Sequence, residues 1–195
     1  MSKYVYYIFN KPYNVLSQFT KEVPEHVTLQ DFLSLPSDVY PVGRLDKDSE
    51  GLLLLTNDNA LKNKLLDPKN KSPKTYQVQV DGDISQKAIN SLKAGVQIKL
   101  NKGFYHTKSC KVSNINAPKI AARNPPVRFR ATIPTSWVEI TLEEGKNRQL
   151  RKMCAAVGFP CLRLVRSKIN ELYFEDVASG EGRFLTMLEV NALKK

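Results

Sequence analysis

The sequence is poor in the residues that carry most metal-dependent and nucleophilic chemistry: it has two histidines, His26 and His106, and three cysteines, Cys110, Cys154 and Cys161, in 195 residues. So few ligands argue against a zinc centre and against a Ser-His or Cys-His pair. The cysteines are odd in number and none stands in a CxxC pair, which argues against a disulfide framework and a thiolate metal site. Free thiols are expected. Long apolar runs are also lacking: none approaches the roughly 20 residues a membrane-spanning helix needs. The segment from Met1 has no charged-then-apolar pattern of a signal peptide, so a cytoplasmic protein without membrane association is expected.

Acidic residues are scarce relative to basic ones. Lys and Arg number 30 against 19 Asp and Glu, a formal charge of +11. Such a surplus favours a polyanionic partner, nucleic acid or an acidic membrane, and does not by itself choose between them. Apolar content of 42% is enough for a proper core. One domain over 1–195, or two closely joined lobes, is the expectation for this length.

Along the chain, Tyr4 to Phe9 is aromatic and β-branched and reads as a strand that Pro12 ends. Leu52 to Thr56 reads as a buried strand after a loop of turn formers and charges, Tyr40 to Gly51. Asn57 and Asp58 are placed to cap a short helix with Leu61 and Leu65 on one face, stopped by Pro68. Tyr76, Val78 and Val80 alternate with Gln77 and Gln79, the period-two pattern of a half-buried strand. Ser85 to Leu92 has helical spacing, with Gly95 as a left-handed terminator.

Between Asn101 and Thr135 the pattern weakens, and Ala122 to Arg130 stands out as a rigid, basic loop. Val138, Ile140 and Leu142 alternate inward. A helix capped by Asn147 then carries Leu150, Met153, Cys154 and Val157 on one face and Arg148, Arg151 and Lys152 on the other, ending at Gly158. Cys161 to Arg166 reads as a last strand, and the segment past Gly180 has only a weak apolar pattern. Strands and helices interleave without a βαβ rhythm. The expected class is α+β, with a mixed, mainly antiparallel central sheet and flanking helices.

The loop Asp46-Lys47-Asp48-Ser49-Glu50-Gly51 superficially matches the start of a calcium loop. The match fails further on, because Asn57 falls where a bidentate Glu belongs and Pro41 and Gly43 exclude the entering helix. Taken alone, the loop is a solvated acidic turn before a buried strand.

The longer string Gly43-Arg44-Leu45-Asp46-Lys47-Asp48-Ser49-Glu50-Gly51-Leu52-Leu53-Leu54-Leu55-Thr56-Asn57-Asp58 resembles the catalytic motif of bacterial ribosomal pseudouridine synthases. Three further segments of that family appear in order: Asn10-Lys11-Pro12, Lys74-Thr75-Tyr76-Gln77-Val78, and Glu144-Gly145-Lys146-Asn147-Arg148-Gln149-Leu150-Arg151-Lys152-Met153. The resemblance runs from about Tyr4 to Arg183. Arg123-Asn124-Pro125-Pro126 and Ile133-Pro134-Thr135-Ser136-Trp137 narrow it to a large-subunit member. Departures are small. Lys146, Leu150 and Lys152 stand where Arg, Val and Arg are common, and Asn59, which tolerates a left-handed backbone, stands for a usual Gly. The separate N-terminal RNA-binding module that many relatives carry is not expected here.

The resemblance implies a cofactor-free and metal-free isomerisation of uridine to pseudouridine by a monomer. The implied partner is ribosomal RNA, a 23S stem-loop, with 16S or transfer RNA as alternative substrates and a noncatalytic RNA-binding or ribosome-assembly protein as the alternative class. Asp46 is implied as the catalytic carboxylate, acting as nucleophile or as base. Arg148 is implied to pair with it, Tyr76 to stack on the target base, and Arg44 to contact or replace the flipped nucleotide. Lys11, Arg123, Arg128, Arg130, Arg151 and Lys152 are the expected contacts to the RNA backbone, arranged along a central cleft.

Overall fold

A computed structural model describes residues 4–128, 130–174 and 176–195. In chain order the elements are β1 (Tyr6–Lys11), β2 (Tyr40–Pro41), β3 (Glu50–Thr56), α1 (Asn59–Leu66), β4 (Lys74–Asp81), α2 (Gln86–Ala94), β5 (Gln97–Leu100), β6 (Gly103–His106), β7 (Lys111–Ile115), β8 (Thr135–Leu142), α3 (Gln149–Ala156), β9 (Cys161–Ile169), β10 (Leu172–Tyr173), β11 (Gly182–Phe184) and α4 (Met187–Lys194). The class is α+β, and the strand ladders described below are antiparallel. The chain divides into two compact units, Met1–Ser72 with Arg166–Lys195, and Pro73–Val165.

In the first unit β1 lies between β11 and β3, antiparallel to both, and β2 adds to β3. All seven residues of β3 are buried. An uninterrupted Leu52-Leu53-Leu54-Leu55 run suits such a strand, because apolar side chains on both faces find cover. Phe9, Val15, Leu29, Val39, Leu53 and Leu55 form one core cluster here. Asp58 caps α1 by accepting from Leu61 N at 3.0 Å, and it is itself held by Tyr6 Oη at 2.7 Å and Lys194 Nζ at 3.0 Å. These donations hold the Asp58 carboxyl down at about 2, against burial, which alone pushes it up. Asn59 is an ordinary helical residue, so the left-handed backbone expected of it is not used; among the described residues other than glycine, positive φ occurs at Asn14, Lys71, Arg148 and Asn170.

In the second unit β4, β8 and β7 run antiparallel in that order, with register Tyr76↔Ile140 and Val78↔Val138. Their core-facing residues pack with Ile89 and Leu92 of α2 and with Leu150, Met153 and Cys154 of α3. Four local expectations need correction. The weakly patterned stretch from Asn101 contains β6, which pairs back with β5 just before it, and β7. Gly95 has φ 97 and ψ 149, an extended mirror-image conformation and not a left-handed helical terminator. A β-carbon there would collide with the Thr107 carbonyl oxygen, so glycine is required for close approach as well as for φ. The third helix begins at Gln149 and its cap position is Arg148, not Asn147. Finally, β9 runs on to Ile169 and a further helix, α4, follows β11.

Candidate active site

The loop between β2 and β3 presents Asp46 half-buried between buried Leu45 and exposed Lys47, with Arg44 exposed just before them. Its shape is fixed from one side by the segment that follows β1. Ser17 Oγ donates to the Leu45 carbonyl at 2.8 Å and accepts from Leu45 N at 3.1 Å. On the other side of Asp46, the Lys47 carbonyl accepts from Asn14 N at 2.8 Å. Asn14 itself has φ 66, a left-handed conformation that Asn adopts more readily than most residues. The Asp46 carbonyl accepts from Ser49 N at 3.0 Å, closing the turn into β3. Both neighbours of Asp46 are therefore pinned through their main-chain atoms, which limits the positions its side chain can take.

Lys11, expected at the surface as a phosphate contact, is fully buried. Alternation along β1 explains this: Lys11 shares a face with fully buried Phe9 and stands opposite Gly51 of β3. Its ammonium donates to the carbonyls of Val15 at 2.7 Å and Pro12 at 2.9 Å, so it braces the segment that carries Asn14 and Ser17. Burial pushes the ammonium down to about 7, against the opposing pull of Glu50, Asp48 and Asp46. Arg166 on β9 is also buried, and its Nε donates to the Leu52 carbonyl at 2.8 Å. Lys11 is thus an internal cation of this unit and not an exposed RNA contact.

In the second unit Tyr76 is half-buried on β4 and packs against the core cluster there. Arg148 is exposed at the start of α3 with φ 51 and ψ 34, so it does not sit on the cationic face of that helix. A left-handed backbone at a residue with a β-carbon costs about 1–2 kcal/mol and must be held by its surroundings. The surroundings are specific. Gln149 Oε1 accepts from Lys146 N at 2.9 Å, and its Nε2 donates to Glu144 at 2.6 Å. Glu144 also accepts from Tyr105 Oη at 2.6 Å and from Lys108 N at 3.0 Å. Burial alone pushes the Glu144 carboxyl up, and these donors together bring it below its ordinary value.

The other expected RNA contacts all lie in this unit, and several are already engaged. Arg123 donates to the carbonyls of Pro125 and Pro126, stiffening its own loop. Arg130 pairs with Asp81 at 3.0 Å. Arg151 leans on β9, with Nη1 3.5 Å from the Cys161 carbonyl. Arg128 is exposed and Lys152 half-buried. Among the described residues no cluster of three or more His, Cys, Asp or Glu is arranged to hold a metal, and no helix is long and apolar enough to cross a membrane.

Comparison with known proteins decides what this arrangement belongs to. The family model described as RNA pseudouridylate synthase matches residues 5–156. The chain belongs to that family. Among synthases it is 52% identical over 174 residues to ribosomal large subunit pseudouridine synthase E of Vibrio parahaemolyticus, covering 89% of this chain and 71% of the relative. The protein of the same name from Xanthomonas axonopodis pv. citri is 49% identical over 173 residues, 88% of each chain. A crystal structure of a pseudouridylate synthase superposes with a TM-score of 0.81 at 26% identity, covering 99% of this chain and 75% of that one. The narrower resemblance to a large-subunit synthase is thus shown in the sequences.

Within this synthase family member, the motif residues quoted from the sequence fall at the end of β1, on the β2–β3 loop and β3, on β4 and at the start of α3. Ser17, Asn14, Tyr105 and Arg166 went unnoticed in the sequence. Each acts on main-chain atoms or on a partner distant in the chain, and such pairings leave no periodic or compositional signal.

Proposed function

We propose that the protein isomerises one uridine of 23S ribosomal RNA to pseudouridine, acting in the cytoplasm as a monomer on a stem-loop, with Asp46 as the catalytic carboxylate. The observation that carries the reading is the pinned geometry around Asp46 within a sequence motif of the synthase family: Ser17 and Asn14 hold the residues on either side of it. The names of the relatives at 49–52% identity support the large subunit as the substrate.

The reaction breaks the bond from N1 to the sugar, turns the base and joins C5 to the same sugar carbon. C5 gives up a proton and N1 gains one, so no atom enters or leaves. An ionised Asp46 serves either as the nucleophile or as the base that removes a sugar proton. Arg148 is the cation this reading assigns to the carboxylate. Tyr76 stacks on the uracil, and exposed Arg44 meets the strand from which the nucleotide has been flipped at a cost of a few kcal/mol. Arg123, Arg128, Arg130, Arg151 and Lys152 supply backbone contacts that offset this cost, while Lys11 acts from inside.

The test is pseudouridine mapping by carbodiimide adducts on unmodified 23S and 16S RNA, with wild-type protein and with Asp46→Asn. One new position in 23S with wild type only is expected. A position in 16S overturns the substrate, equal modification by the variant overturns the role of Asp46, and RNA binding with no modification favours a noncatalytic binder.

A further inference from the structure

In α1 and the segment that joins it to β4, four lysines fall within ten positions, Lys62, Lys64, Lys69 and Lys71, with Asp67 as the only acid among them. None belongs to the RNA contacts assigned above. Asp67 is occupied locally, since its side chain accepts from Lys69 N at 2.9 Å to cap the 3-10 turn Pro68–Asn70. Among the described residues no salt bridge takes up Lys62, Lys69 or Lys71. Lys69 and Lys71 are exposed, and Lys71 stands out on a left-handed backbone with φ 47. Lys64 props the end of α4 by donating to the Lys194 carbonyl at 2.6 Å, while the Lys194 ammonium is taken up by Asp58.

Two further features distinguish this face from an ordinary solvated lysine surface. Tyr40 is 53% exposed, and Lys62 Nζ lies 5.9 Å from its ring centre. Leu66, 42% exposed, lies against Gly43, where an added β-carbon would be 3.1 Å from its Cδ2. Gly43 directly precedes Arg44 in the loop that carries Asp46. The lysine face is therefore continuous with the start of the proposed catalytic loop, and a shallow groove of about 500 Å³ lined by Asn63, Lys64, Leu66, Asp67, Pro68 and Asn70 runs along it.

We infer that this face is a second RNA-binding surface, taking the phosphate backbone of the RNA that flanks the target uridine. The inference rests on the proposed activity only for the identity of the RNA. Lysines bind phosphate as mobile point charges without reading bases, so this surface adds affinity and register but no sequence choice. The exposed Tyr40 ring, with a cation beside it, offers a stacking place for one unpaired base. Unneutralised lysines at this density match a polyanion.

The test uses the full chain with Lys62, Lys69 and Lys71 all changed to Gln, leaving Lys64 in place because it supports α4. Equilibrium binding to a 23S fragment is measured across a salt series, in an Asp46→Asn background so that turnover does not interfere. Loss of three phosphate contacts lowers the slope of log K against log salt by about 2.7, so between about 0.05 and 0.2 M salt the parent loses roughly 40-fold more affinity than the variant. A control with Lys93, Lys99 and Lys102 changed to Gln removes the same charge from exposed sites in the second unit and should leave the slope unchanged. An unchanged slope in the first variant, or an equal fall in both, overturns the inference. If the slope falls as expected but wild-type protein modifies no RNA, the activity is wrong and the binding surface stands.

Discussion

Ser17→Ala tests the idea that Asp46 is positioned through its neighbours. The hydroxyl makes two buried hydrogen bonds to the main chain of Leu45, at 2.8 and 3.1 Å. Removing it strands one buried N–H and one buried C=O, each costing about 1–3 kcal/mol, so a loss of roughly 2–4 kcal/mol is expected after partial relaxation. For a chain of this size that lowers the melting temperature by roughly 5–15 °C. The kinetic effect is separate. A displacement of the Asp46 carboxylate by about 1 Å lowers the rate by roughly 100-fold. Single-turnover pseudouridine formation at saturating RNA, well below the melting temperature, should fall by that order with RNA affinity unchanged. Leu92→Ala, which opens the core of the second unit at a cost of about 2–5 kcal/mol, should slow the reaction far less. If the two variants lose the same rate, or if Ser17→Ala loses stability and no rate, the positioning argument is refuted.

Lys11 makes a prediction in pH. Its ammonium titrates at about 7 in the folded protein, below its ordinary value of 10.5. Between these values the unfolded chain binds the extra proton, so this group makes stability climb with pH, by up to about 1.4 kcal/mol per unit. Urea unfolding of wild type and Lys11→Met from about pH 6 to 9 should show the climb in wild type and its absence in the variant; parallel curves would refute the burial argument. Tyr105→Phe removes the 2.6 Å bond to Glu144 and loosens the loop before Arg148. The single-turnover rate should fall several-fold, with a stability loss of about 1.5–3 kcal/mol. An unchanged rate would mean that the left-handed turn at Arg148 holds without Tyr105.

The parts of the fold legible in the sequence were those whose order depends on neighbours in the chain. The Leu52 to Leu55 run, the Asp58 cap and the alternation of Val78 and Val80 all appear in the structure as elements with the expected burial. The β5–β6 hairpin was missed because its four-residue strands carry too few apolar side chains to show a period, and Phe104 is 73% exposed. The start of α3 was misplaced because Asn147 looks like a cap by type, whereas the turn is closed by Gln149 and Glu144. Lys11 illustrates the opposite error. Its charge suggested the surface, but the strand's alternation turns it inward beside Phe9, where the carbonyls of Pro12 and Val15 accept from its ammonium. The motif around Asp46 was legible as a string; the Ser17 and Asn14 bonds that give it shape were not.

The division of the first unit into Met1–Ser72 and Arg166–Lys195 has a consequence for biosynthesis. During translation the second unit, one unbroken stretch of chain, is complete before β11 and α4 exist. At about 5–20 residues per second, the thirty residues from Arg166 to Lys195 take roughly 2–6 s to be made. Until Phe184 is made β1 has no β11 beside it, and until the last residues are made Asp58 has no Lys194. The side of β1 that β11 later covers is then an open edge, and Tyr7 lacks the edge-on contact with Phe184 that it has in the finished fold. A nascent chain stalled before Gly182 would expose that edge to other chains.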